Sequence, residues 1–414
     1  MHFKSQCKQH YFRHDEADHF ESMSSMIEKK DQQKKLRVAL VHDYLREYGG
    51  AERVVEALHE LFPDAPLFTA FVDQEALGIH WQQFAGWDIR QTNMVKLPFY
   101  KKLFSPYRIF APQAFKAIDL SNYDVVISSS NAYFAKAVTT ENDSAQAVHL
   151  CYCHTPARSL YGYTTMSNWK QNPVTRFFGT LLNHYLRVVD FKISQGPMQF
   201  LANSQETQRR ITKFYRRDSQ VIYPPVTIPS NPPVKKTGEY FLYVGRLAAS
   251  KHVELAIKAC TQLSVPLKVV GSGKGMFYLK ELAGPTVSFE GAVDDDKLAE
   301  LYRGAKALIF PAEDEDFGIV PVEAMGHGVP VIAHRSGGPK ETILEGRTGL
   351  FFDALTTQAV VEALCSFETY TFDKKIIYQH AITFSKERFQ KEIFKVVEKS
   401  RFMNLRSCRG AFDQ

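Results

Sequence analysis

Residues 307–333 run Ala307-Leu308-Ile309-Phe310-Pro311, then Ala312-Glu313-Asp314-Glu315-Asp316-Phe317-Gly318, then Ile319-Val320-Pro321-Val322-Glu323-Ala324-Met325-Gly326-His327, and close on Gly328-Val329-Pro330-Val331-Ile332-Ala333. Ala307 to Phe310 and Val329 to Ala333 are short apolar runs of the kind buried on both faces of a parallel sheet. Between them an acidic loop with one glycine opens a helix that runs to about His327. Strand, loop, helix and strand in that order form one β-α-β unit, and the same alternation fills most of the chain. The sequence therefore predicts an α/β fold of parallel strands joined by crossover helices.

Outward from this unit, Phe241 to Val244, Leu267 to Val270 and Val287 to Phe289 read as further strands. Prolines 224, 225, 229, 232 and 233 crowd the stretch from Tyr223 to Tyr240, which reads as a linker. Before it, Leu36 to Val41, Asp124 to Ser128, Ala147 to Cys151, Gln199 to Asn203 and Val221 to Tyr223 are strand candidates. After Leu36 to Val41 comes a glycine turn at Gly49 and Gly50, then Val54, Val55, Leu58 and Leu61 on one helical face, stopped by Pro63. The expected layout is an extension over 1–35, disordered or begun at too early a start codon with Met23 and Met26 as later ones. A first Rossmann-like domain follows over 36–225 and a second over 226–384. Residues 385–414 form a helix packing back across both domains, and a tail. Two such domains facing each other hold a ligand where the carboxyl ends of their strands meet.

The 414 residues suit two domains at roughly 150 residues or more each. Hydrophobic residues at 44% and charged residues at 23% exclude a disordered chain. A formal charge of +6 is modest over this length, so any meaning lies in clustering. Six scattered cysteines include no second pair at zinc-ligand spacing beside Cys151 and Cys153, and they read as reduced thiols of a cytoplasmic protein. No stretch has the ~18 to 20 uninterrupted apolar residues of a membrane span.

The start of the helix after Gly318 offers unpaired backbone N–H groups and the positive end of a helix dipole, a seat for phosphate. Glu315 precedes that seat and Glu323 follows it, so a diphosphate between them places a hydroxyl-rich group at each end, where a carboxylate accepts hydroxyl hydrogen bonds. One glutamate near a helix start is explained as well by the dipole alone; Glu323 lies too far along the helix for that. Arg246 and Lys251 leave the end of another strand after Gly245. They read either as surface bases or as the two cations that neutralise a departing diphosphate, and their place at a strand tip favours the second. Gly49 and Gly50 form a plain tight turn or a close approach of backbone to pyrophosphate. His154, in Cys153-His154-Thr155-Pro156, ends a strand and can donate into the cleft or serve the core. Gly271 and Gly273 follow a strand and either line a nucleobase pocket or form one of the short glycine loops common after strands. Ser336-Gly337-Gly338-Pro339 with Glu341 reads as a turn and a helix-start carboxylate.

Taken together, these segments resemble retaining glycosyltransferases of the large family 4, whose paired-glutamate motif matches Glu315 to Glu323. Similar family elements are Gly-Arg-Leu with a following Lys at Gly245 to Lys251, the Gly-Gly-Ala-Glu-Arg loop at Gly49 to Arg53 and the Cys-His-Thr-Pro element at Cys153 to Pro156. The resemblance covers roughly residues 36 to 400 and implies the GT-B architecture of two facing Rossmann-like domains. It implies that Glu315 meets the donor sugar's hydroxyls, that Phe317, Gly318, Ile319 and Val320 meet the diphosphate, that Glu323 holds the ribose, and that His154 lies beside sugar and acceptor. Transfer with retention at the anomeric carbon is implied as well. The chain departs from the family pattern at Ser159, His252 and Lys274.

Bacterial mannosyltransferases of surface polysaccharide synthesis are the nearest in style, which suggests GDP-mannose as donor and a glycan or lipid-linked acceptor. With no metal-ligand cluster and no serine or cysteine triad, the expected mechanism is electrostatic and needs neither metal nor cofactor. Lys96, Lys101, Lys102, Arg108 and Lys116 interleave with Phe99, Tyr100, Phe104, Tyr107, Phe110 and Phe115 with no acid among them. This segment, 96–116, is expected to meet an anionic membrane surface at the inner face of the membrane, with loop over core as the alternative; nucleic acid is not expected. Rival functions are a sugar-nucleotide epimerase of the same architecture and an inactive nucleotide-sugar-binding scaffold. A dehydrogenase is disfavoured because the first β-loop-α unit lacks a dinucleotide fingerprint.

Overall fold

The structure is a computed structural model that describes residues 36–140, 147–163, 173–232 and 238–410, with only the backbone described at 174, 175 and 403–410. The expected extension over 1–35, the last residues of the tail and positions 233–237 of the proline-rich linker lie outside the described residues.

Seven parallel strands make the first sheet: β1 (Val38–His42), β2 (Leu67–Thr69), β3 (Ile89–Gln91), β4 (Val125–Ser130), β5 (Val148–Cys153), β6 (Gln199–Ala202) and β7 (Ser219–Val221). Their spatial order is β3-β2-β1-β4-β5-β6-β7. Helix α1 (Gly50–Leu61) follows β1, α2 (Pro173–Ile193) follows β5 and α3 (Gln205–Tyr215) follows β6. All five residues of β1 and all six of β4 are buried, as central strands of a parallel sheet covered on both faces are, and His42 pairs in register with Ser129 at the strand tips. In α1, Val54, Val55 and Leu58 turn inward, and such side chains stabilise by about 1.5–3 kcal/mol each when fully buried. The helix ends at Phe62, ahead of Pro63.

The second sheet has six parallel strands: β8 (Tyr240–Val244), β9 (Leu267–Val270), β10 (Val287–Gly291), β11 (Ala305–Phe310), β12 (Val331–His334) and β13 (Gly349–Phe352), ordered β10-β9-β8-β11-β12-β13. Helices α4 (Val253–Leu263), α5 (Ile319–Gly326) and α6 (Thr357–Phe367) flank it, and α7 (Lys386–Gly410) closes the chain. The α7 helix packs on the first half. Phe389 meets Tyr152 of β5 edge-on at 5.6 Å between ring centroids, and Gln390 donates to the Ala57 carbonyl of α1 at 3.1 Å.

In each sheet the strand order reverses once, between β1 and β4 and between β8 and β11. Loops leaving those neighbours run to opposite sides and open a crevice at the strands' carboxyl ends. The two α/β halves expected from sequence are thus present as doubly wound sheets. Three strands were not foreseen: β2 and β3 have three residues each, β3 is an exposed edge, and β13 is short. The strand expected at Val221 to Tyr223 lies two residues earlier, at Ser219–Val221, although Ile222 still donates to the Ala202 carbonyl at 2.9 Å. Cys151, Cys153, Cys260 and Cys365 are free thiols, and burial pushes Cys151 and Cys260 up to about 12. No helix among the described residues is long and apolar enough to cross a membrane.

Candidate functional site

The crevice is a cleft of about 520 Å³ walled by both halves. From the first half it receives the ends of β1 and β4 and the start of α1; from the second, the end of β8, the acidic loop after β11 and the start of α5. Gly49, Gly50, His154, Arg246, Lys251, Glu315, Phe317, Gly318, Ile319 and Val320 all line it. Residues spread over 270 positions of sequence are gathered here because each follows a strand at or beside a switch point.

Gly318 sets the entry to α5 with φ of +82°, a left-handed conformation that a side chain strains, and leaves the first N–H groups of the helix without intrahelical partners. Opposite stands the start of α1, where the Glu52 carboxylate accepts the Gly49 N–H at 2.8 Å. A Cβ on Gly50 would lie 2.7 Å from Cδ1 of Ile319, so glycine is what lets the two helix starts approach. Two positive helix ends therefore converge on one space.

Glu315 pairs with the Lys251 ammonium. Burial by itself raises the Glu315 carboxyl; the charge and hydrogen bond of Lys251, with Arg158 and Arg246 behind it, outweigh burial and hold it below its ordinary value. The group is an ionised acceptor at neutral pH. Arg246 stands at the mouth, more than half exposed, 3.3 Å from Glu47 of the opposite half. The turn after Lys251 is made by His252, which takes the left-handed conformation with φ of +48°.

Behind His154 runs a buried polar chain. Its Nε2 lies 2.8 Å from Oγ of Ser129, which lies 3.1 Å from Nδ1 of His42, whose Nε2 is 3.4 Å from Oε1 of Glu52. Burial lowers His42, but the hydrogen bond and charge of Glu52, aided by Asp43, raise it net above 6.5. Burial, reinforced by the charge of His42, drops His154 to about 3. A protonated His42 donates to Glu52 and to Ser129, so the Ser129 hydroxyl donates onward to Nε2 of His154. Neutral His154 then carries its proton on Nδ1, as a donor for a ligand.

Three expected site residues fall elsewhere. Glu323 is drawn into an adjoining hollow of about 340 Å³, where it pairs with Arg53 of α1 and accepts from the Tyr302 hydroxyl at 3.3 Å. Gly271 and Gly273 do not line the cleft. A Cβ on Gly271 would stand 1.9 Å from the Gly245 carbonyl oxygen, and one on Gly273 would stand 2.3 Å from that of Leu247. They allow close packing of two loops, which seats the Gly245 to Leu247 turn that carries Arg246. Gly337 and Gly338 act in the same manner beneath the acidic loop, where a Cβ would meet the Glu315 and Phe317 backbone at 2.1 and 2.3 Å.

Several neighbours of the site have partners that the sequence reading did not supply. Asp316 is held by Arg158 at 3.1 Å and by the buried Arg210, both from the first half, and the Asp314 carbonyl accepts from the same two guanidinium groups. The Glu341 carboxylate reaches across to accept the N–H groups of Gln205 and Glu206 at the start of α3, at 2.7 and 2.8 Å. Ser159 accepts from Arg108 at 2.9 Å, tying the basic-aromatic segment to the loop after His154. Within 96–116, Phe115 is buried and Tyr100, Phe104 and Tyr107 pack on the core, whereas Phe99, Leu103 and Phe110 face outward. The core alternative describes part of that segment.

Residues 227–379 match the family described as Glycosyl transferases group 1. The chain is 36% identical over 121 residues to a GDP-mannose-dependent alpha-mannosyltransferase of Corynebacterium glutamicum, a match covering 29% of this chain and 29% of that relative's length. Among solved structures it resembles the apo lipopolysaccharide outer core galactosyltransferase, with a TM-score of 0.61 and 18% identity over 88% of this chain and 100% of that one. It also resembles the sucrose-phosphate synthase of Thermosynechococcus elongatus, with a TM-score of 0.66 and 19% identity over 88% and 99%. Residues 227–379 thus form a glycosyl transferases group 1 domain, within a chain whose two doubly wound sheets have the GT-B fold.

Proposed function

We propose that this chain is a retaining glycosyltransferase that moves mannose from GDP-mannose to a glycan or lipid-linked acceptor. One observation carries the reading: a single cleft unites two helix starts, Arg246, the Lys251–Glu315 pair and His154. Main-chain N–H groups at Gly318 to Val320 and the Arg246 and Lys251 side chains would take the charge that builds on the leaving diphosphate. Glu315, ionised and acceptor-only, would orient the sugar hydroxyls, and His154 would donate to the sugar from Nδ1. The acceptor hydroxyl would attack from the leaving-group face and pass its proton to the donor phosphate, with Glu315 forming no covalent bond. Glu323 would reach the ribose after exchanging its Arg53 partner. Mannose and the guanine nucleotide rest on the described activity of the Corynebacterium relative. The chemistry is proposed to need no metal and to occur at the cytoplasmic membrane face, with 96–116 toward the anionic surface.

A panel of nucleotide sugars tested by thermal shift and then by product analysis decides the matter. At 100 times its dissociation constant a ligand stabilises by about 2.7 kcal/mol, and GDP-mannose is expected to do so and then to yield GDP and a mannosylated acceptor, in the presence of a chelator. No stabilisation by any nucleotide sugar would defeat the proposal. Conversion of donor alone into an epimer would transfer it to the isomerases.

A further inference from the structure

We propose that the first-half wall of the cleft is an acceptor subsite for an uncharged sugar ring, the end of a glycan that bears no phosphate or carboxylate on that ring. The inference rests on the reading of the cleft as a glycosyltransferase site and narrows its acceptor.

Charge is divided unequally between the two walls. Both basic side chains of the cleft, Arg246 and Lys251, come from the second half, and in the proposed reaction the donor diphosphate takes both. Among the described residues that the first half contributes there is no lysine or arginine, but there are three carboxylates, Asp43, Glu47 and Glu52. Two of these are satisfied internally. Asp43 accepts the N–H groups of Asn131, Ala132, Tyr133 and Ala135 at 2.7 to 3.0 Å, and Glu52 accepts the Gly49 N–H at 2.8 Å and faces His42. Glu47 keeps an exposed charge toward the cleft, with Arg246 of the other wall at 3.3 Å. A phosphate-bearing acceptor on this wall would meet that carboxylate and find no first-wall cation to pair with, and like charges held close together repel.

The rest of the wall suits hydroxyl groups and the apolar face of a ring. Tyr44 lines the cleft half-buried, its ring fixed parallel to Phe71 at 5.5 Å and edge-on to Tyr133 at 5.4 Å between centroids. Neither its hydroxyl nor the exposed Asn131 amide has a side-chain hydrogen bond to another described residue. A phenol offers an apolar body with a polar tip, an amide offers donor and acceptor together, and both are uncharged. The four N–H bonds to Asp43 fix the loop after β4 that carries Asn131, which makes Asp43 a positioning residue for that amide. Transfer forms a bond from the acceptor hydroxyl oxygen to the anomeric carbon, breaks that carbon's bond to the diphosphate oxygen and passes the hydroxyl proton to the leaving diphosphate.

The test gives the full chain, with whichever nucleotide sugar it binds, two sets of acceptors. One set is the octyl glycosides of mannose, glucose, galactose and N-acetylglucosamine; the other is the same sugars carrying a phosphate, with inositol phosphate. The kcat/KM for at least one neutral glycoside is expected to exceed that of every phosphorylated acceptor by at least about tenfold. Asn131→Ala should raise the KM for that glycoside about tenfold, with kcat and the donor KM within about twofold of the original. Glu47→Gln should narrow the preference for neutral acceptors by at least about threefold. Equal or better use of the phosphorylated set overturns the inference, as does donor hydrolysis with transfer to neither set, an unchanged acceptor KM in Asn131→Ala or an undiminished preference in Glu47→Gln. Failure of every nucleotide sugar to bind would defeat the reading of the cleft itself, and this inference with it.

Discussion

The Ser129 hydroxyl lies 2.8 Å from Nε2 of His154 and links it to His42 and, through that ring, to Glu52. With His42 protonated, the hydroxyl accepts from that ring and donates to Nε2 of His154, which then bears its proton on Nδ1. Ser129→Ala is expected to lower turnover by about tenfold or more while leaving the donor KM near its original value, as loss of an interaction made in the transition state does. Steady-state kinetics beside a melting curve check this. A changed KM with unchanged kcat would assign Ser129 to packing.

The cations at the end of β8 differ in their surroundings, and so should their variants. Arg246→Ala and Lys251→Ala should each reduce turnover by ~10²-fold to 10³-fold. Arg246 is exposed, so its removal should leave stability within about 0.5 kcal/mol of the original. Lys251 partners a partly buried carboxylate, so Lys251→Ala should also destabilise and move the Glu315 carboxyl upward. Donor turnover and urea unfolding of both variants separate the two effects, and full turnover in either would count against the phosphate role.

Asp316 of the acidic loop joins the halves through Arg158 and Arg210. Arg210 is almost wholly buried, so Arg210→Met should destabilise by about 3 kcal/mol, by leaving its partners unpaired in a low-dielectric setting. A double-mutant cycle with Asp316→Asn tests this in urea. Additive losses would show that the two side chains act independently.

The histidines give the pH dependence its sign. Unfolded, His149 and His154 bind a proton near 6.5; folded, burial holds both down to about 3. Between these values the unfolded chain binds more protons, so stability should drop as pH is lowered, by about 1.4 kcal/mol per unit for each histidine. His42 acts in a separate window. Raised in the fold, it contributes fully below 6.5 and loses that contribution as pH climbs through its folded value. Denaturation at several pH values should show His149→Gln with a shallower acid loss; an unchanged slope would contradict the assignment.

Strand and motif positions were legible where physics is local. The run before Pro311 must be a buried strand, and Gly318 must open a helix, so the acidic loop and its neighbours reach the cleft as read. Paired interactions were not legible. Nothing near Glu341 announces that it accepts from α3, or near Asp316 that Arg210 lies opposite, because such partners are chosen by the approach of two domains. At Gly271 and Gly273 the backbone neighbour was not legible for a related reason: a glycine loop after a strand fits ligand approach and backbone approach equally, and the structure adds the close approach of the Gly245 to Leu247 loop.

The central claim is that a diphosphate lies between the starts of α1 and α5. A crystal structure of the protein with GDP-mannose tests it most directly. Phosphate oxygens should accept from the N–H groups at Gly318 to Val320 and lie against Arg246 and Lys251, with the sugar hydroxyls on Glu315. A nucleotide bound elsewhere, with that cleft holding only solvent, would contradict the account.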